Sequence, residues 1–123
     1  MTAAADALMA IFGFKRVEGN QMKTDRELLE LAAKAAGYDY KPLSGAIVVD
    51  GIPGNWNPLT DDGDALRLGA KLLLDVYSSE ACIVAEDGNG VQCIEYMYGP
   101  EDYASGWRRA IVSAAAAIGE AMQ

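Results

Sequence analysis

The spacing of hydrophobic residues along the chain predicts three helices. Thr24 and Glu27 stand three residues apart, as in a capping box, and Gly37 can adopt the left-handed conformation that ends a helix. The first helix is therefore predicted between Thr24 and Gly37. Its apolar residues recur at steps of three and four: Leu28, Leu31, Ala32 and Ala35.

Two further helices follow from the same periodicity. The second follows Pro58, with Thr60, Asp61 or Asp62 as its N-cap and Asp64 in its first turn. Its apolar face comprises Ala65, Leu68, Gly69 and Leu72, with Leu66 and Leu73 beside it. The third is predicted after Gly99–Pro100, with Glu101 and Asp102 as acids in its first turn, and runs to about Met122. Its seam comprises Trp107, Ile111, Ala114, Ile118 and Ala121. Arg108 and Arg109 lie off this seam and are expected to be solvated or paired with nearby acids.

Short β-branched runs predict the strands. GAIVVD (45–50) reads as one strand followed by a turn at GIPGN, LLDVY (73–77) as a second, and 81–86 with 91–98 as a hairpin around Asp87–Gly90. If Asp87 pairs with Gly90, Cys82 and Cys93 share a face as diagonal neighbours. Their Cα atoms are then about 7–8 Å apart, beyond the roughly 4.4–6.8 Å of a disulfide. Both are expected to be buried thiols.

These elements predict an α+β fold in a single small domain. The expected architecture is an antiparallel-rich sheet of three to four strands with helices packed on its faces, in the order (α)-α-β-α-β-β-β-α. Residues 22–123 form this domain. Residues 1–21 are expected to be an N-terminal extension that includes a short helix at 3–12 and docks, self-associates or stays mobile.

Charge is concentrated in the middle of the chain. The net charge is −8, and residues 39–102 alone carry twelve acidic and three basic residues, a net of −9. Such a field repels nucleic acid and favours a partner with a basic surface, although a solvated acidic surface is the simpler interpretation. No apolar run is long enough to span a membrane, and Lys15 and Arg16 follow the N-terminal apolar run, so a cytoplasmic protein is expected.

The residue types argue against catalysis. The chain has no histidine, which removes His-based triads and the common His zinc ligands. No phosphate-binding glycine loop or nucleophile elbow occurs. The TDDGD run (60–64) lacks the glutamate that a calcium loop requires at its twelfth position. We therefore expect no enzyme activity, no metal and no cofactor.

The loop before the second helix is the strongest candidate for recognition. Trp56 is either a core anchor or an exposed aromatic hot spot. The acids after it have structural roles as caps, yet they also contribute to the acidic surface. The candidate partner-binding residues are Trp56, Asp61, Asp62, Asp64, Glu86, Asp87 and Glu95.

Three blocks together resemble a known group: TDRELLELAAKAAG, NWNPLTDDGDALRL and WRRAIVSAAAAIGEAM. The chain is similar over residues 22–122 to small bacteriophage and prophage proteins of proteobacteria, some of them grouped with the phage α/β/α-sandwich (ABA sandwich) domain. That group offers no catalytic residues to carry over. The resemblance implies a viral accessory gene expressed in the cytoplasm of a bacterial host.

The expected function is that of a phage-encoded accessory protein that binds a host or phage protein without catalysis. A sharper version is an inhibitor of a host defence complex, similar to anti-CRISPR proteins, whose nucleic-acid groove would attract the acidic middle. One alternative is a small-ligand-binding domain or minor enzyme that uses the Trp56 loop. Another is a homo-oligomeric structural phage protein, a homodimer through residues 1–21 or the C-terminal helix.

Overall fold

The structure is a computed structural model that describes residues 15–16, 23–43, 46–49, 51–79, 82–88, 91–96 and 103–122. Its helices are α1 (Asp25–Ala36), α2 (Asp62–Lys71) and α3 (Tyr103–Ala121). Its strands are β1 (Lys15–Arg16), β2 (Tyr40–Leu43), β3 (Ala46–Val49), β4 (Ile52–Asn55), β5 (Asp75–Ser79), β6 (Cys82–Glu86) and β7 (Val91–Tyr96). The predicted α+β class is confirmed.

The strands form two sheets. One has the order β1-β7-β6-β5, in which β1 runs parallel to β7 and the other pairs are antiparallel. The other is an antiparallel sheet in the order β2-β3-β4. The pattern predicted a single strand at 45–50 and missed β2 and β4, because Pro42 in β2 and Pro53 in β4 resemble turn residues. Both strands lie at the edges of their sheet, where proline is tolerated.

The first helix begins and ends where the sequence predicts. The Thr24 hydroxyl accepts a hydrogen bond from the Glu27 N–H at 3.1 Å, and the Glu27 carboxylate accepts one from the Thr24 N–H at 2.9 Å. Gly37 follows the helix in the left-handed conformation, with φ of 76°. Hydrogen bonding of the Glu27 carboxylate to Thr24, chiefly to its backbone N–H and then to its side chain, holds the pKa of Glu27 below its ordinary value of 4.5.

The last helix is buried around its whole circumference in the middle, where the sequence predicted a single seam. Its buried residues are Gly106, Ala110, Ile111, Val112, Ser113, Ala114, Ala115, Ala116 and Gly119. Ala110 and Ala114 pack on Ile83 and Ala85 of β6, while Val112 belongs to the larger core shared with α1 and α2. A helix placed between other elements on several sides shows no polar face.

The hairpin register differs by one residue from the prediction. Cys82 pairs with Tyr96, and Cys93 pairs with Ala85. Because positions 82 and 85 differ by an odd number along β6, the two cysteine positions belong to opposite faces of the sheet. The expectation that they share a face is therefore wrong, and the register is still less compatible with a disulfide between them.

The N-terminal extension lies largely outside the described residues, including the short helix predicted at 3–12. Its described part is β1, at the edge of the four-stranded sheet. Within the described part of the chain, no helix is both long and apolar enough to cross a membrane.

Candidate functional site

Trp56 is a core residue. Its side chain is 1% exposed, and its ring makes edge contacts with Tyr38 at 5.7 Å and Tyr40 at 6.5 Å between centroids. The neighbouring Pro58 is also fully buried. A partner cannot reach Trp56 in this conformation, so the exposed hot-spot interpretation is wrong and the core alternative is confirmed.

Asp64 is an internal hydrogen-bond acceptor. It is 4% exposed, and its carboxylate accepts a hydrogen bond from the Asn57 N–H at 2.9 Å. Its other oxygen accepts one from the Arg67 guanidinium at 2.6 Å. This carboxylate fastens the loop to the first turn of α2, and it does not lie on a surface that a partner could contact.

The two preceding acids also serve the fold. Asp61 is the N-cap of α2 and accepts a hydrogen bond from the Asp64 N–H at 2.8 Å. Asp62 lies 2.6 Å from Arg108, whose Nε also donates to the carbonyl of Leu59 at 2.8 Å. Arg109 pairs with Asp25 at 2.8 Å. Of the two outcomes expected for the arginines off the seam, solvation or pairing with acids, the structure shows pairing for both.

The three remaining candidate acids belong to the four-stranded sheet. Glu86 ends β6 opposite Asp75, and Asp87 follows it directly. Both Glu86 and Asp87 are partly exposed. Glu95 pairs with Ile83 along the backbone, and its side chain lies outside the described part of the structure. The predicted residues thus belong to two separate elements, the start of α2 and the sheet.

An apolar groove lies between α2 and α3, which we call the α2–α3 groove. Its volume is about 540 Å³. It is lined by Asp62, Ala65, Leu66, Gly69, Ala70, Leu74, Val76, Ala104, Trp107, Arg108 and Ile111. Leu66 is 72% exposed and Trp107 36% exposed, so both present apolar surface to solvent. The Asp62–Arg108 pair supplies its charged side chains.

Sequence reasoning missed this groove except for two hints. Leu66 stands beside the predicted apolar face of α2 rather than on it, and Trp107 begins the seam of α3. In the structure, Leu66 and Trp107 both line the groove, and Trp107 precedes the continuous run of buried residues in α3 that begins at Ala110. An apolar residue outside the core face of a helix is the signal that could have indicated a binding surface.

Comparison with known proteins returned no match: no family model, no curated protein and no solved structure is significantly similar to this chain. Among the described residues, no group of three or more Cys, Asp and Glu side chains is arranged to hold a metal ion.

Proposed function

We propose that this protein is a non-catalytic protein-binding module that recognises its partner through the α2–α3 groove. The observation that carries the proposal is the groove itself, with Leu66 and Trp107 exposed on its two helical walls. Apolar concavities rimmed by polar groups mark binding sites, and tryptophan is enriched among the residues that dominate binding energy.

The charge of the chain indicates the partner's character. The net charge of −8 favours association with a basic surface and speeds encounter with it at low salt. Because Asp61 and Asp64 are engaged within the fold, we assign this role to acids of the four-stranded sheet, such as the exposed Asp75 and the partly exposed Asp87. Their contribution is long-range attraction, while the groove supplies the apolar contact.

The experiment is capture of partners from bacterial lysate with the tagged full chain, at low and high salt, compared with two matched variants. Leu66→Gln removes apolar surface from the groove. Leu73→Gln makes the same substitution at an 83% exposed leucine that does not line it. We expect one stoichiometric partner, retained by wild type and Leu73→Gln and bound about tenfold more weakly by Leu66→Gln, a change of about 1.4 kcal/mol. Equal retention by both variants would rule out the groove.

A more specific proposal is that the protein is a phage accessory protein that inhibits a host defence complex. It is supported by the resemblance at residues 55–68 and 103–122 and by the acidic charge, which suits a target that itself binds nucleic acid. Expression in a bacterium whose CRISPR-type defence targets a test phage should restore plaques with wild type and Leu73→Gln but not Leu66→Gln. Unchanged plaque counts with wild type would reject this version.

The groove's size favours a second candidate, an apolar small-molecule ligand. Its volume of about 540 Å³ falls within the roughly 300–1,000 Å³ of ligand pockets. Trp107 lines the groove whereas Trp56 is buried in the core, so a ligand would change Trp107 fluorescence. A screen of apolar ligands by fluorescence, with Trp107→Phe as the control, tests this candidate. Absence of any saturable change would remove it.

A further inference from the structure

Both helical walls of the α2–α3 groove are continuous helix faces. The lining residues of α2 run from Asp62 to Ala70 at steps of three, one, three and one. Those of α3 run from Ala104 to Ile111 at steps of three, one and three. Residues at these steps are neighbours on one face of a helix. The groove is therefore a furrow between two helices, into which the side chains of a third helix can pack.

Small residues leave room for the backbone of such a helix. Gly69 lies so close to α3 that a Cβ built on it would stand 3.6 Å from the Ile111 side chain. Ala70 and Ala104 line the groove on its two helical walls, and both are exposed. Small side chains at a contact bring helix axes to the short end of their range, about 8 Å apart.

The length of the groove suits one helical segment. Asp62 and Ala70 are eight residues apart in α2, which corresponds to about 12 Å along the helix axis. That distance is a little more than two helical turns. An interface between two folded copies of the chain needs about 800 Å² on each copy, which is more than a furrow of two turns supplies. The groove therefore fits a single segment of a partner better than a second copy of the chain.

An exposed carboxylate lies among the lining residues of this apolar groove. Asp62 lines the groove beside Arg108, and its side chain is 80% exposed although the two groups are 2.6 Å apart. A carboxylate has acceptor sites for several donors, so Asp62 can receive a lysine or arginine in addition to Arg108. The other lining residues are apolar. The complementary segment is therefore apolar along one face and basic at one end.

We propose that the α2–α3 groove binds an amphipathic helix of another protein, with a lysine or arginine at the end that meets Asp62. The apolar side chains of this helix recur at steps of three and four and pack between Leu66 and Trp107. In this mode of recognition an amphipathic helix lays its apolar face into a hydrophobic groove. The inference rests on the proposed function and names the conformation and the chemistry of the partner segment.

The test is selection of binders from a display library of random fourteen-residue peptides on the immobilised full chain. We expect enriched peptides to carry apolar residues at steps of three and four and a base near one end. The synthesised peptides should bind at least tenfold more weakly to Leu66→Gln. They should weaken as much with Ala70→Phe and Ala104→Phe, whose rings occupy the space of the bound helix. Leu73→Gln should bind as wild type, and thermal unfolding checks that all variants fold.

The helical conformation has its own readout. A peptide with proline at a central position, on the face away from the groove, keeps its apolar side chains but cannot form an unbroken helix. Its binding should be at least tenfold weaker than that of the parent peptide. If the proline peptide binds as well as the parent while both depend on Leu66, the helix is overturned and the proposed function stands.

The basic end is tested with Asp62→Asn. This variant should bind the parent peptide about threefold more weakly, as expected for an exposed ion pair, and its binding should depend less on salt. An unchanged affinity and salt dependence would overturn the contact between Asp62 and a base.

Two other outcomes would contradict the proposal. A library that yields no binder dependent on Leu66 would overturn both the helix and the proposed function. A wild-type dimer in light scattering that Leu66→Gln converts to a monomer would assign the groove to a second copy of the chain instead.

Discussion

At the scale of single residues, Asp64 shows how a candidate recognition residue proves to be structural. Its nearly buried carboxylate accepts hydrogen bonds from the Asn57 N–H and from Arg67, whose own side chain is 59% exposed. The sequence could place it in the first turn of a helix, but the hydrogen bond to Asn57 depends on how the loop folds back. That tertiary contact has no signature in the local pattern.

Replacement of Asp64 therefore tests the loop's anchoring. Asp64→Ala leaves the Asn57 N–H and the guanidinium without their acceptor, and we expect a loss of about 2–3 kcal/mol in the free energy of unfolding. Asp62→Ala removes a pair whose carboxylate is 80% exposed, and its loss should stay below about 1 kcal/mol. Urea denaturation of the two variants measures both values. Equal losses would contradict the role given to Asp64.

Leu73 offers a second test at this scale. It follows α2 with φ of 56°, the left-handed region, and the Leu74 N–H donates to the Gly69 carbonyl at 2.9 Å, as in a Schellman motif. Leu73→Gly should raise the unfolding free energy by about 1 kcal/mol, because leucine is strained there. The same substitution at Leu66, inside the helix, should lower it by about 1 kcal/mol. Changes of the same sign would show that the backbone at Leu73 is unstrained.

At the scale of elements, the helices were predictable and the small sheet was not. Thr24, Glu27 and Gly37 carry local signals that act within α1 itself. Strands β2 and β4 contain Pro42, Pro53 and Gly54, whose local preferences favour turns, and only their position at the edges of a sheet accommodates them. The hairpin was recognisable, but the prediction missed its register by one residue. Ile83 and Ala85 of the hairpin pack against α3, a contact that the local pattern does not show.

The contact between α1 and α3 depends on Gly119. A Cβ at this position would overlap the backbone carbonyl of Leu31 in α1. We expect Gly119→Ala to lower the unfolding free energy by about 1–3 kcal/mol because the helices must move apart. Gly69→Ala in α2 is the matched control, since its Cβ would meet Ile111 at 3.6 Å, an ordinary contact. Thermal unfolding measures both variants. An increase in the melting temperature of Gly119→Ala, equal to any increase for Gly69→Ala, would contradict this close approach.

The capping box of α1 predicts a pH effect. The pKa of Glu27 is lower in the folded chain than its ordinary value of 4.5, so its contribution to stability is complete above that value and disappears as pH falls through the lowered pKa. Glu27→Gln keeps a capping acceptor but does not titrate. Its urea midpoint should therefore decline less than that of wild type between neutral and acidic pH. Parallel declines would show that the box does not depend on the carboxylate's charge.

At the scale of the whole molecule, the sequence indicated the fold class and the acidic character but not the α2–α3 groove. The α2–α3 groove is lined by residues of both helices and by Leu74 and Val76 at the start of β5, and α3 is far from the other two elements in sequence. The predicted acids, in contrast, were chosen for their charge alone. Burial excludes Trp56 and Asp64 as partner-binding residues, and Asp61 is the N-cap of α2.

The most direct measurement is hydrogen exchange by mass spectrometry on the full chain, alone and bound to the partner captured from lysate. We expect slower exchange in three segments that surround the groove, residues 65–70, 74–79 and 104–111, and unchanged exchange in α1. Protection confined to α1 or to the β2-β3-β4 sheet, with the groove segments unchanged, would contradict recognition through the α2–α3 groove.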